Sequence, residues 1–356
     1  MNVKDFDFDL PKELIAQHPS EKRDHSRLMV LNRKDESITH KYFYDIIDLL
    51  DENDVLVLND TKVIPARLMG EKAETKAIIE VLLLEEKEKN VWQALTKPAK
   101  RVKVGTKVHF SDKLTLECIR VHDEGLRDYK LIYDGILIEI LEQLGTMPLP
   151  PYITERLEEQ DRYQTVYAEN PGSAAAPTAG LHFTKPLLKK IEDKGIAIIP
   201  ITLNVGLGTF RPVSVDKVEA HDMHHETYTM TDISAKRLNE AKKKGKRIVC
   251  VGTTSLRTVE SNYDQGFKPG TYSTNIFIYP GYTFKACDRL ITNFHLPKST
   301  LIMLVSALSS REFIMRAYQE AIDLEYRFFS FGDAMLIKWL KNQVKIVIIY
   351  IEEEKD

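Results

Sequence analysis

Between about residues 66 and 147 the chain consists of short apolar runs separated by turn residues, a spacing that suits neither a helical bundle nor a parallel sheet. Ile78 to Leu84, Val91 to Leu95, Val102 to Val104, Val108 to Phe110, Leu114 to Val121 and Tyr129 to Tyr133 are each about one strand long. Lys89-Asn90, Gly105, Ser111-Asp112 and Asp123-Glu124-Gly125 punctuate them. This pattern predicts a small antiparallel barrel or sandwich. Ile136 to Leu144 predicts a helix stopped by Gly145. Met147-Pro148-Leu149-Pro150-Pro151 predicts a stiff hinge, because proline-dense backbone fits neither helix nor central strand.

On both sides of this block the pattern is α/β. Leu28-Met29-Val30-Leu31 and Val55-Leu56-Val57-Leu58 are apolar at every position, as strands covered on both faces must be. Tyr42 to Leu50 is amphipathic. After the hinge, helices are expected at Thr184 to Lys194, Thr231 to Lys244 and Arg311 to Leu324, with strands at Ile196 to Leu203 and Arg247 to Val251. Thr231 can cap the start of its helix and Gly245 the end. The expected architecture is an α/β main domain, residues 1–65 plus 148–337, interrupted by an inserted all-β unit at 66–147.

Strand after strand then runs into small polar residues. Val55 to Leu58 leads to Asn59-Asp60-Thr61, and Ile196 to Leu203 to Asn204-Val205-Gly206-Leu207-Gly208-Thr209-Phe210. Ile248 to Val251 leads to Gly252-Thr253-Thr254-Ser255, and Leu290-Ile291 to Thr292-Asn293-Phe294-His295. One such loop could be ordinary helix capping. Four point to a small-molecule site beyond the carboxyl ends of parallel strands. Residues 172–184 are small and uncharged up to His182, which reads either as an acid or base beside a ligand or as a surface histidine in a flexible linker. His221-Asp222-Met223-His224-His225-Glu226 reads as a metal site, as substrate or RNA contacts, or as a solvated cluster; the His-Glu-x-x-His spacing is absent.

Lys97, Lys100, Arg101 and Lys103 form a basic strip without an intervening acid, and residues 242–247 form a second. Each is either a solvated face or a phosphate contact. The whole chain gives no general attraction for nucleic acid: its 356 residues carry 50 Lys+Arg against 53 Asp+Glu, a net charge of -3. Cys118, Cys250 and Cys287 are too far apart for a zinc ribbon or a disulfide framework. No apolar stretch approaches a membrane span, and the amino terminus lacks a signal core, so a cytoplasmic location is expected.

Several blocks together resemble the S-adenosylmethionine:tRNA ribosyltransferase-isomerase family of queuosine synthesis. They include Ile15-Ala16-Gln17-His18-Pro19, Arg23-Asp24-His25-Ser26-Arg27, residues 59–68, 147–153 and 163–168, and Ala176-Pro177-Thr178-Ala179-Gly180-Leu181-His182-Phe183-Thr184. Residues 205–210, 251–258, 292–301, 326–330 and 332–337 complete the set. The resemblance implies an α/β domain interrupted by a small antiparallel β-barrel. It also implies an unusual reaction: the ribosyl part of S-adenosylmethionine moves to the aminomethyl group of a 7-deazaguanine base in tRNA and isomerises to an epoxycyclopentanediol. Adenine and methionine leave. S-Adenosylmethionine is then a consumed substrate, and neither a cofactor nor a metal is expected; the partner is tRNA carrying the 7-aminomethyl-7-deazaguanine base.

That chemistry needs a base beside the sulfonium and an acid for adenine, for which His182, His295 and Asp60 are the candidates. Arg67, Arg257 and Arg327 are candidate carboxylate holders. Asn59, Thr61, Thr178, Gly206, Gly208, Thr209, Phe210, His221, His224, Glu226, Thr253, Thr254, Ser255, Asn293 and Asp333 complete the expected substrate-binding set. The strip of Lys97, Lys100, Arg101 and Lys103 is the expected tRNA contact. Asn204 stands where the family has histidine, Ala174 where it has valine, and residues 338–356 form an atypical tail, expected to be dispensable. A monomer is expected. The competing readings are a non-enzymatic RNA-binding protein and a metal-dependent hydrolase.

Overall fold

The computed structural model of the protein describes residues 1–155, 157, 159–206 and 213–338. Its spine is strand β3 (Asp54–Asn59), buried along its whole length. β3 lies between two parallel neighbours, β12 (Ala197–Leu203) and β14 (Arg247–Val251), and β14 pairs in parallel with β16 (Arg289–Asn293). Beyond β16 the direction reverses at β17 (Ala334–Lys338), which is followed by β1 (Arg27–Asn32) and the edge strand β2 (Ser37–Tyr42). On the other side, β13 (Glu226–Met230) and β15 (Gly270–Thr274) extend the sheet antiparallel, giving nine strands.

The apolar runs follow from burial on both faces. Val55 and Val57 share one core with helices α4 (Asp232–Lys243), α5 (Gly252–Asn262), α6 (Thr300–Leu308) and α7 (Arg311–Asp323). Leu56 and Leu58 point the other way, into a core with Phe43, Ile46 of α1 (Ile46–Leu49) and Leu187 and Ile191 of α3 (Lys185–Asp193). The caps are as expected: Thr231 accepts from the backbone of Ser234, and Gly245 lies at φ +67° behind α4.

The inserted block closes into a six-stranded antiparallel barrel. Its strands are β5 (Arg67–Lys72), β6 (Ile78–Glu88), β7 (Val91–Lys97), β8 (Lys107–Ser111), β9 (Leu114–Val121) and β10 (Leu126–Tyr133). Leu68, Val81, Leu83, Ala94, Val108, Leu116 and Tyr129 fill it, together with Ile140 and Leu141 of α2 (Leu137–Leu144). Two details differ from the sequence reading. Val102 to Val104 is not a strand: Arg127 donates to the carbonyls of Val102 and Ala99 and holds a tight turn there. β5 was hidden by its charges and by Gly70, where a Cβ would lie 2.7 Å from the His109 carbonyl of the neighbouring strand.

Entry to and exit from the barrel touch one another. A Cβ on Gly145 would lie 1.7 Å from the Pro65 carbonyl oxygen, and the next residue, Thr146, pairs with Arg67. The segment expected to be a hinge is packed, with Met147, Leu149 and Tyr152 against a small core of Ala16, Val63, Ile153 and Tyr163. Lys338, expected to open the tail, is the last residue of β17 and pairs with Asn32 and Arg289; residues 339–356 lie outside the described residues. The three cysteines are free and buried. Among the described residues no helix is long and apolar enough to cross a membrane.

One carboxylate fastens the amino ends of three adjacent strands. Asp54 at the start of β3 is fully buried and accepts from Arg247 Nε at 2.7 Å and Arg289 Nη1 at 3.0 Å, the first residues of β14 and β16. Removing one member of such a group leaves buried charge uncompensated. Asp54→Ala should therefore lower the unfolding free energy by about 3–5 kcal/mol, read from urea denaturation. An effect under about 1 kcal/mol, the range of exposed pairs, would contradict this role.

Candidate active site

The site is built where the parallel strands end. Asn59 finishes β3 by clipping its neighbour: Nδ2 donates to the Leu203 carbonyl at 3.0 Å, and Oδ1 accepts from the Leu203 N–H at 2.9 Å and the Thr61 N–H at 3.2 Å. Thr61 in turn donates to Oδ1 of Asn204 at 2.8 Å. That bond, and the close approach of Gly172 to the Asn204 amide, give Asn204 a structural role in this chain.

A cleft of about 740 Å³, partly open to solvent, lies beyond these ends. Its walls are mostly apolar, from Ala175, Ala176, Pro177, Val205, Phe294, Leu296 and Phe329, with Tyr152 at one side. Thr178, Thr253, Thr254, Thr292, Asn293, His295, Ser299 and Ser330 supply its polar groups. Among the described residues, none that lines it carries a carboxylate, ammonium or guanidinium. β14 passes into α5 without a loop because Gly252 takes φ +85°, so Thr253 and Thr254 belong to the first helical turn. No side chain caps that turn, leaving N–H groups and the positive end of the helix dipole at the cleft. Thr254 Oγ1 is buried with no hydrogen-bond partner among the described residues. Ser255 is turned away, donating to the Val251 carbonyl at 2.8 Å.

Behind one wall runs a buried relay. Thr178 Oγ1 donates to Asn293 Oδ1 at 2.9 Å, and Asn293 Nδ2 donates to His182 Nε2 at 3.0 Å. Nε2 is therefore an acceptor, so the proton sits on Nδ1 and is given to Ser26 Oγ at 2.7 Å. Phe43 stacks on the imidazole with ring centroids 4.9 Å apart. His182 is thus neither in a linker nor at the surface, and it stands one residue back from the cleft. Burial, then the charges of Arg327 and Arg23, push its pKa down to about 3. His295 does line the cleft; burial alone lowers it to about 3, and Thr292 Oγ1 lies 3.0 Å from its Nε2.

The other expected site residues are dispersed. Asp60 is buried, which raises its carboxyl pKa, and it accepts from Thr202 Oγ1 at 2.6 Å rather than facing the cleft. Arg67 lies on the barrel, 3.4 Å from Glu80. Arg257 is buried against Glu226, whose other oxygen lies 3.2 Å from His224 Nε2. His221 packs on Phe277, so the histidines of that segment face different partners. Arg327 donates to Ser20 Oγ and the His18 carbonyl, while Asp333 accepts from the backbone of Arg27 and Arg327. None of the three arginines expected to hold a carboxylate lines the cleft. Gly206 is exposed in part beside Val205; Gly208, Thr209 and Phe210 lie outside the described residues. Lys97, Lys100, Arg101 and Lys103 are exposed at the end of β7, with Arg127 pinning the turn that carries them.

The family model described as Queuosine biosynthesis protein matches residues 3–337. The chain belongs to that family. A curated relative from Staphylococcus haemolyticus, named S-adenosylmethionine:tRNA ribosyltransferase-isomerase, is 60% identical over 341 residues, covering 95% of this chain and all of the relative. One of the same name from Clostridioides difficile is 59% identical over the same span. The crystal structure of S-adenosylmethionine tRNA ribosyltransferase from Thermotoga maritima is similar at a TM-score of 0.55, with 40% identity over 94% of this chain and 99% of that one.

Of the family blocks, six converge on the cleft through Tyr152, Thr178, Val205, Thr253–Thr254, Asn293–His295 and Ser330. Tyr152, Phe294, Phe329 and Ser330 were not singled out from sequence. They carry no charge, and only their place in the matching blocks marks them.

Both histidines titrate near 6.5 when unfolded but remain neutral in the fold to about 3. Between those values the unfolded chain binds more protons, so stability is complete above about pH 6.5 and falls as pH drops toward 3. His182→Gln and His295→Gln should each flatten the loss of denaturation free energy between about pH 7 and pH 5. A slope equal to that of the unaltered protein would remove the histidines from this account.

Proposed function

We propose that the cleft holds S-adenosylmethionine and that its ribosyl group passes to the aminomethyl group of a 7-deazaguanine base in tRNA, releasing adenine and methionine. The observation that carries this reading is the convergence of six family blocks on one cleft, uncharged among the described residues, with apolar walls for a nucleoside and an open helix end. The amino terminus of α5, with Thr254 Oγ1, suits the methionyl carboxylate, which the dispersed arginines cannot reach. S-Adenosylmethionine is consumed, so the reaction calls on no resident cofactor or metal.

His295 is the group placed to take a proton. It is neutral at physiological pH, lines the cleft, and can accept the hydrogen that the adjacent sulfonium acidifies. His182 serves as a positioning residue: by accepting from Nδ2 it fixes the Asn293 amide so that Oδ1 faces Thr178. Asp60 contributes through Thr202 rather than by proton transfer. The attacking nitrogen belongs to the RNA base, so the site completes itself only with tRNA bound, which keeps water from a reactive sugar. The barrel, residues 66–147 inserted between 1–65 and 148–337, carries the strip of Lys97, Lys100, Arg101 and Lys103 toward the RNA. A monomer acting in the cytoplasm is part of this reading.

Three measurements test this. Adenine, followed by chromatography, should appear only when S-adenosylmethionine and the precursor tRNA are both present, with or without chelator. Rapid adenine release without RNA, or methyl transfer to RNA, would defeat the reading. His295→Ala should reduce kcat by roughly 100-fold or more, as loss of a general base does. Replacing all four strip residues with Gln should weaken tRNA binding and lower its salt slope by about one per lost phosphate contact, leaving S-adenosylmethionine affinity unchanged. An unaltered slope would return the strip to a solvated face.

A further inference from the structure

Arg23 and Arg162 line a small surface hollow beside His182, and Arg327 reaches its rim through a 3.0 Å bond to Ser20 Oγ. Among the described residues none of the three forms an ion pair. Arg23 donates to the carbonyls of Leu181 at 3.2 Å and Asp161 at 2.9 Å, and Arg162 to those of Glu21 and Ser20. Arg162 Nε is buried with no partner. Each guanidinium has five N–H donors in a fixed fork, so several remain open. The nearby acids offset the group only in part. Asp161 acts on Arg23 and Asp333 on Arg327 through space, while the Asp333 carboxylate accepts from the backbones of Arg27 and Arg327 and from Arg27 Nε. Arg162 also depresses Arg23, although burial does so more, and Arg23 and Arg327 both depress His182. Arg23 and Arg162, partly buried cations that repel one another and are offset only in part by Asp161, are stabilised by an anion.

We propose that this hollow is an oxyanion site that holds a backbone phosphate of the tRNA, next to the nucleotide whose base enters the cleft. The proposal rests on the function argued above and assigns Arg23 and Arg162 to it. Ser330 lines both the hollow and the cleft, so an anion here lies one wall away from the reacting groups. A methionyl carboxylate offers the same chemistry. A phosphate fits better because the hollow opens to solvent on the far side of Ser330, while the nucleoside cleft has its own helix end for a carboxylate.

Arg23→Gln, Arg162→Gln and the double variant would be compared with the unaltered protein. Precursor tRNA affinity would be followed from low to high salt, and S-adenosylmethionine affinity by equilibrium dialysis without RNA. The double variant should bind tRNA about tenfold more weakly, the loss expected for a charge-assisted hydrogen bond, and its salt slope should fall by about one to two. S-Adenosylmethionine affinity should not change, and Arg162→Lys should restore part of the slope. Normal tRNA affinity and slope in a normally melting double variant would overturn the proposal. So would a fall in S-adenosylmethionine affinity, which would make the site a carboxylate holder. If the double variant fails to fold, the Arg162→Gln slope decides. An unaltered protein that releases adenine only with tRNA, beside variants of unchanged slope, would sink this inference and leave the function standing. Absence of tRNA binding by the unaltered protein would sink both.

Discussion

The architecture hangs on β3 being held at both ends while buried on both faces. Six consecutive buried residues, Asp54 to Asn59, include a carboxylate and an amide that would each be costly in an apolar core without partners. The neighbouring strands supply them. Arg247 and Arg289 bring charge to Asp54, and the Leu203 backbone gives Asn59 the two bonds that a continuing ladder would have provided. The sheet is thereby closed below and opened above. Beyond their carboxyl ends the chains leaving β12, β14 and β16 line the cleft through Val205, Thr253 and Thr254, and Asn293 to His295.

That cleft is electrically quiet, which decides how its chemistry can be organised. Among the described residues its lining offers hydroxyls, amides, an imidazole and a helix end, but no formal charge. With the proposed substrate, the sulfonium and the carboxylate would bring the charge, to be read by dipoles that need not reorganise. Formal charges on the protein are kept one layer out: Asp333 with Arg27, Arg257 with Glu226, and the arginines beside His182. Burial holds both histidines neutral, helped at His182 by Arg327 and Arg23, and neutral imidazole is the form that can accept a proton or an amide hydrogen bond.

Much of the scaffold was legible because burial on two faces writes itself into sequence as uninterrupted apolar runs. Leu28 to Leu31, Val55 to Leu58 and Ile248 to Val251 all lie on strands of the sheet. The barrel spacing was equally plain, except where local chemistry masked it. β5 has charges outside and a glycine forced by β8, and Val102 to Val104 is strand-like in composition but bent by a distant arginine. Of the site, the strand ends could be read and the partnerships could not. His182 meets Ser26 and Asn293, 156 and 111 residues away, and only those contacts turn a candidate base into a residue that orients another. The arginine hollow was invisible for the same reason: Arg23 and Arg162 sit in unrelated stretches and meet through tertiary packing.

The contact between Gly145 and Pro65 bears on how the chain is made. Because the two crossings of the barrel touch, everything the barrel needs is contained between them, and it can close as soon as Leu144 has left the ribosome. β3 is synthesised earlier but cannot be satisfied then, since its partners β12 and β14 end only at Leu203 and Val251. Nearly two hundred further residues, roughly ten to forty seconds at ordinary elongation rates, are made before β14 is complete, and over the later half of that interval a strand apolar at its four central positions waits beside a barrel that can already be closed. A nascent chain of this design carries one finished domain next to one unsatisfied strand.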